Sequence, residues 1–152
     1  MGLFVKRLLV LAAMVVIGAV GAEAATPVDN ARQLFDKYQS LETSFDPAIV
    51  DLYTDSAKIQ NKHTLSNGQS RNLRLPAPTY KALIRRSMPQ SKANNDRSTY
   101  SNVNYKQVGE NVRITATRFS LFKKDSTPIS WMVGPTKNGK WKILEETSES
   151  RQ

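Results

Sequence analysis

Apolar side chains recur every three or four residues near the start of the chain: Val28, Ala31, Phe35, Tyr38 and Leu41. That period places them on one face of a helix. Thr26 is its cap, Pro27 takes the first position, and Asp29 stands where a capping-box acid reaches back. Asp46-Pro47 repeats the cap-plus-proline signal and predicts a short second helix through about Leu52. The period then drops to two. Ala57, Ile59, Asn61, His63 and Leu65 share one side of a strand, with Lys58, Gln60, Lys62 and Thr64 on the other. Asn67-Gly68 predicts a type I′ hairpin turn, because both residues tolerate positive φ, and Ser70 to Leu75 is the return strand.

Pro76 and Pro78 close that strand, and Thr79 caps a third helix. Tyr80, Leu83, Ile84 and Met88 form its inward side, and Pro89 stops it. Residues 90–97 are polar and read as a loop. The remainder predicts a four-stranded antiparallel meander: Tyr100 to Val108, Asn111 to Lys123, Pro128 to Val133 and Trp141 to Thr147. Its turns fall at Gly109-Glu110, Lys124-Asp125-Ser126 and Asn138-Gly139. A sheet that is apolar on one face needs a cover, and three amphipathic helices from the N-terminal half supply it. The fold class is α+β, with about six strands.

Ahead of this domain, Lys6 and Arg7 precede the apolar run Leu8 to Ala19, and Ala22-Glu23-Ala24 offers small residues at a cleavage site. This order matches a secretory signal peptide spanning 1–24, cut near Ala24-Ala25, and the expectation is a periplasmic or secreted protein. The mature domain is then 25–148, followed by a frayed tail at 149–152. The sequence holds no cysteine, which excludes disulfides, thiolate metal sites and a lipid-anchoring cysteine. An exported domain of this kind must be held by its hydrophobic core.

The net charge is +9, and the excess is uneven. Arg71, Arg74, Lys81, Arg85, Arg86, Lys92 and Arg97 fall within one segment against a single acid, Asp96. Such a patch attracts polyanions: an acidic protein partner, or transiently an anionic membrane surface. No nucleic-acid motif accompanies it, and export argues against a chromosomal target.

The order of elements resembles that of the nuclear transport factor two-like superfamily, also called the SnoaL-like or cystatin-like cone fold. The likeness runs from Pro27 to Ser148. It rests on Leu52-Tyr53-Thr54-Asp55-Ser56-Ala57 after the second helix, Gly109 between two long strands, and Trp141-Lys142-Ile143 opening the last strand. The resemblance implies a strongly bent sheet wrapped round a helix, leaving a cone whose interior can be a pocket. It also implies sheet-face homodimers in some members. It does not select an activity, since the superfamily spans isomerases, dehydratases, carriers and structural domains.

Strand parity nominates cavity residues. Val112, Ile114, Ala116, Arg118 and Ser120 share one face, and Trp141, Ile143, Glu145 and Thr147 share another. A charge on an apolar face needs a partner, so Arg118 and Glu145 are expected to pair. With Tyr38, Tyr53 and Trp131 they make an expected pocket for a small apolar or amphipathic ligand. For acid–base chemistry the chain offers His63, its single histidine, with Asp51 and Asp55 as orienting acids. Neither a metal-ligand cluster nor a phosphate-binding or nucleophile motif appears, so no cofactor is expected. The three readings are a non-catalytic ligand-binding cone, an interaction module of an envelope or secretion assembly that docks an acidic partner on residues 71–97, and a small isomerase or dehydratase.

Overall fold

The structure, a computed structural model, describes residues 21–152. The expected cleavage segment 1–24 lies almost wholly outside the described residues. Among the described residues no helix is long and apolar enough to cross a membrane.

Helix α1 is Pro27–Thr43 and opens as its sequence dictates. The Thr26 hydroxyl accepts from the Asp29 amide at 3.1 Å, and the Asp29 carboxylate accepts from the Thr26 amide at 3.0 Å. Ala31, Leu34, Phe35 and Tyr38 are buried along its inner stripe. Asp46 caps a 3-10 helix, Pro47–Leu52. Strands β1 (Tyr53–Thr64) and β2 (Ser70–Pro76) form a hairpin, followed by α2 (Ala77–Ala93). Strands β3 (Ser98–Val108), β4 (Asn111–Ser120), β5 (Asp125–Pro135) and β6 (Trp141–Arg151) complete one sheet, ordered β2-β1-β6-β5-β4-β3.

The meander folds as expected, but the sheet is not wholly antiparallel. β6 runs parallel to β1, from Tyr53 opposite Ile143 to Thr64 opposite Arg151. This junction also corrects the frayed tail. Ser148 to Arg151 continue β6 against β1, and the Gln152 amide donates to the Thr64 carbonyl at 3.0 Å. Backbone pairing, invisible in a polar sequence, holds the end of the chain.

Two local readings also change. At Asn67-Gly68 only Gly68 has positive φ, at 83°. The Gly68 amide donates to Leu65 and the Leu65 amide donates to Gln69, so the connection is a type I turn with a glycine bulge rather than type I′. The Asn67 side chain stabilises it by accepting from the Gln69 amide at 3.0 Å. Second, α2 begins at Ala77, with Pro76 at the cap position in place of Thr79, and runs through Pro89 to Ala93. Pro89 removes the amide that would serve the Arg85 carbonyl, but both residues are exposed, so water can hydrate that carbonyl. The stop comes at Asn95, with φ 49°, where the amides of Asn95 and Asp96 donate back to Lys92 and Ser91.

The core lies between α1, the 3-10 helix and the inner faces of β1, β4, β5 and β6. Phe35 and Tyr38 of α1 meet Trp131 at ring-centroid distances of 5.3 and 5.2 Å, and Tyr100 adds to this aromatic wedge at 5.4 Å from Phe35. The wedge fills one side of the cone. The space that remains lies toward α2.

Candidate functional site

A cavity of about 300 Å³ opens beside this wedge. Tyr38, Glu42, Phe45, Ile49, Tyr80, Ile84, Met88 and Arg118 are among the residues that line it. A second cleft, of about 370 Å³, runs between α2 and the β1–β2 hairpin and shares Tyr80, Ile84, Ser87, Arg118 and Ser150 with the first. Arg118 therefore stands where the two spaces meet.

Beneath the cavity sits Glu146, 2% exposed. Its carboxylate accepts from the Tyr80 hydroxyl at 2.7 Å, the Trp131 indole at 3.1 Å, and the Tyr53 hydroxyl. Three donors on three different elements make it a knot tying α2 and β5 to the start of β1. A second carboxyl, Glu42, accepts from the Tyr100 hydroxyl at 2.5 Å. Burial pushes Glu42 above the usual carboxylate range, against the hydrogen bonds of Tyr100 and Ser98 and the charge of Arg118. Burial also raises the hydroxyls of Tyr38, Tyr53, Tyr80 and Tyr100, and neighbouring carboxylates add to the shift for all four. All four are thus kept as neutral O–H groups.

Arg118 is on the inner face, as parity predicts, opposite Tyr100 on β3. Burial works against its charge, but the ionisable groups around it, the Glu146 and Glu42 carboxylates among them, outweigh that and hold it protonated. Among the described residues it forms no ion pair and no hydrogen bond within standard distances. Its nitrogens are not sealed off either, since no buried polar side-chain atom lacks a partner.

The expected pairing of Arg118 with Glu145 does not form. Glu145 lies on the outer face with Arg113 at 3.4 Å and Lys58 at 4.0 Å. The cause is a bulge. Val133 pairs with Ile143 and Met132 with Glu145, so Leu144 is an extra residue and the parity of β6 reverses after Ile143. The inward residues become Glu146 and Ser148 instead of Glu145 and Thr147. Of the other expected pocket residues, Tyr38 faces the cavity, while Tyr53 and Trp131 lie below it as the donors to Glu146.

The acid–base candidates are dispersed. Asp51 is exposed on the 3-10 helix, and Asp55 is exposed at the start of β1, paired with Lys81 at 2.8 Å. Lys81 holds the Asp55 carboxyl below its ordinary range. His63 is at the far end of β1, half-buried, with Nδ1 2.9 Å from the Ser150 hydroxyl, which itself donates to Asn61. The basic segment is divided as well. Arg71 pairs across from His63 and so stands on the side of β2 toward α2, whereas Arg74 pairs with Gln60 on the other side. Arg85 and Arg86 are both exposed on α2, pointing about 100° apart around its axis.

Glu42, Tyr80, Tyr100 and Glu146 are the site residues the sequence reading missed. Glu42 was within reach of it, four residues beyond Tyr38 on the same helical stripe. Glu146 was not, because only the bulge turns it inward.

No protein-family model matches the sequence, and no curated protein matches it. Solved structures match its shape. An NTF2-like protein of unknown function from Shewanella oneidensis MR-1 superposes with TM-score 0.62 and 16% identity, over 82% of this chain and 100% of that one. Another of unknown function, from Pseudomonas putida KT2440, gives TM-score 0.60 at 12% identity, over 79% and 83%. The yeast UBP3-associated protein BRE5 gives 0.63 at 13% identity, over 82% and 96%. Identities this low speak for architecture alone. The curled six-stranded sheet with its helices packed inside is the NTF2-like, or cystatin-like, cone fold.

Proposed function

We propose that this domain binds a small amphipathic molecule in its cone without transforming it. The anionic or strongly accepting head of that molecule faces Arg118, and its apolar body rests on Phe45, Ile49, Ile84 and Met88. One observation carries the reading: a charged guanidinium on the wall of a cavity of about 300 Å³, with no acceptor among the described residues. Its N–H donors remain available to a guest. The dispersal of His63, Asp51 and Asp55 supports binding over acid–base turnover.

Thermal unfolding with hexanoate, octanoate and octanol tests this. A binder gains stability as RT ln(1 + [L]/Kd), so the midpoint rises with carboxylate concentration. The rise is expected to exceed that with octanol and to vanish in Arg118→Met. An equal rise with octanol removes the anionic head from the reading. No rise with any of the three, together with no co-purifying small molecule in native mass spectrometry, overturns it.

A further inference from the structure

We infer that the cleft between α2 and β2 is a docking face for an anionic lipid membrane. Leu73 and Leu83 stand at its rim, 47% and 36% exposed, whereas Ile59, Leu75, Tyr80 and Ile84 continue the apolar lining inward. The sequence expectation placed Leu83 in the core, but the structure turns it toward β2. Both line the same cleft, so their exposed surface adds to one apolar patch with the residues inside it.

Charge selects the covering. Arg71 lies two residues before Leu73 and shares its side of β2. Arg86 lies one helical turn after Leu83, on the same stripe of α2. Each leucine therefore carries its own exposed arginine. The surrounding chain is one-signed: between Ser56 and Asn95 there are eight lysines and arginines and no aspartate or glutamate. Apolar side chains flanked by cations, on a stretch of chain without a carboxylate, are the chemistry of a face that enters the head-group region of an anionic bilayer. The inner end of the cleft reaches Arg118, so docking would set the cone's interior against the membrane. The docking face stands independently of what the cone holds.

The absence of cysteine makes a site-specific test direct. Leu73→Cys, labelled with an environment-sensitive nitrobenzoxadiazole dye, is mixed with phosphatidylcholine vesicles with or without phosphatidylglycerol. Val108→Cys, equally labelled at an exposed apolar position on β3, is the control. Because the signal is read at one position, attachment through another part of the chain does not mimic it. The dye at 73 is expected to shift to the blue only with phosphatidylglycerol, and less so as salt rises, while the dye at 108 stays unchanged. Adding Arg71→Gln and Arg86→Gln is expected to weaken partitioning by about fivefold each, roughly 25-fold together. No response at 73, an equal response at 108, or partitioning indifferent to the arginines overturns the proposal. A response at 73 to soluble polyglutamate with none to vesicles also overturns it, and assigns the face to an acidic protein.

Discussion

The Trp131 indole donates to the Glu146 carboxylate at 3.1 Å, at a point where both residues are sealed from solvent. An acid in such a place is held by its donors, and those donors need it in return. Removing Glu146 leaves the Tyr53 hydroxyl and the Trp131 indole N–H buried without an acceptor, and releases the half-buried Tyr80 hydroxyl toward the cavity. Glu146→Ala is expected to cost about 3–5 kcal/mol in urea unfolding, at about 1–3 kcal/mol for each buried donor left unpaired. Glu146→Gln, which keeps one carbonyl acceptor but turns an amide toward a donor, is expected to cost about 1–3 kcal/mol. If the two variants unfold at the same urea concentration as the wild type, Glu146 is not a structural knot.

The same residue marks the boundary of what the sequence reveals. Periodicity finds the stripe of α1, the inner face of β4 and therefore Arg118, because helices and regular strands repeat by simple rules. Capping chemistry finds Thr26 and Asp29 because it is local in sequence. Parity fails at Glu145 and Glu146, since one inserted residue reverses a period of two and nothing in Ile143-Leu144-Glu145 announces it. The parallel junction of β1 and β6 is likewise hidden. It joins segments some ninety residues apart, and its polar outer end carries no apolar signal. The site is half legible for this reason: Tyr38 and Arg118 sit on regular elements, whereas Glu146 depends on a bulge.

Phe45 adopts φ 54°, a left-handed conformation that costs a side chain with a Cβ about 1 kcal/mol or more. It ends α1, its amide donating to the Glu42 carbonyl and that of Asp46 to Leu41, a closure that ordinarily falls to glycine. A phenylalanine there puts an aromatic ring on the wall of the cavity, with the Arg97 guanidinium 5.5 Å away. Comparing Phe45→Gly with Phe45→Ala separates backbone from ring, since both lose the ring and only alanine keeps the strain. The glycine variant is expected to be more stable than the alanine variant by about 1 kcal/mol. Equal stabilities would mean that the left-handed conformation carries no cost here.

Tyr100 donates to Glu42 at 2.5 Å and so joins β3 to the end of α1. Tyr100→Phe keeps the ring's contacts with Phe35 and Trp131 and removes only the hydroxyl. A hydrogen bond to a charged group at a half-buried position is worth about 1.5–3 kcal/mol. Denaturant unfolding near neutral pH is expected to show a loss of that size, shrinking in acid where Glu42 is protonated. A loss independent of pH would place its origin in packing.

Glu42 itself should give stability an unusual pH dependence. Burial raises its carboxyl in the folded protein, so between the ordinary glutamate value and the raised one the native state holds a proton that the unfolded chain has released. In that window the folded state binds more protons, and stability falls as pH rises. Below it the contribution is fully present, and above it the contribution is lost. Glu42→Gln has no such proton to lose. The difference in unfolding free energy, variant minus wild type, is therefore expected to increase as pH rises from the ordinary glutamate value through the raised one, and then level off. The shape of the curve is the test, because losing the charged acceptor for Tyr100 offsets the whole curve without imposing that rise. Arg118 acts in the opposite direction on Glu42, favouring its ionised form. Arg118→Met should consequently push the carboxyl higher and carry the fall in stability to higher pH. A difference that is flat across the range, or that decreases with pH, would show that burial does not govern this carboxyl.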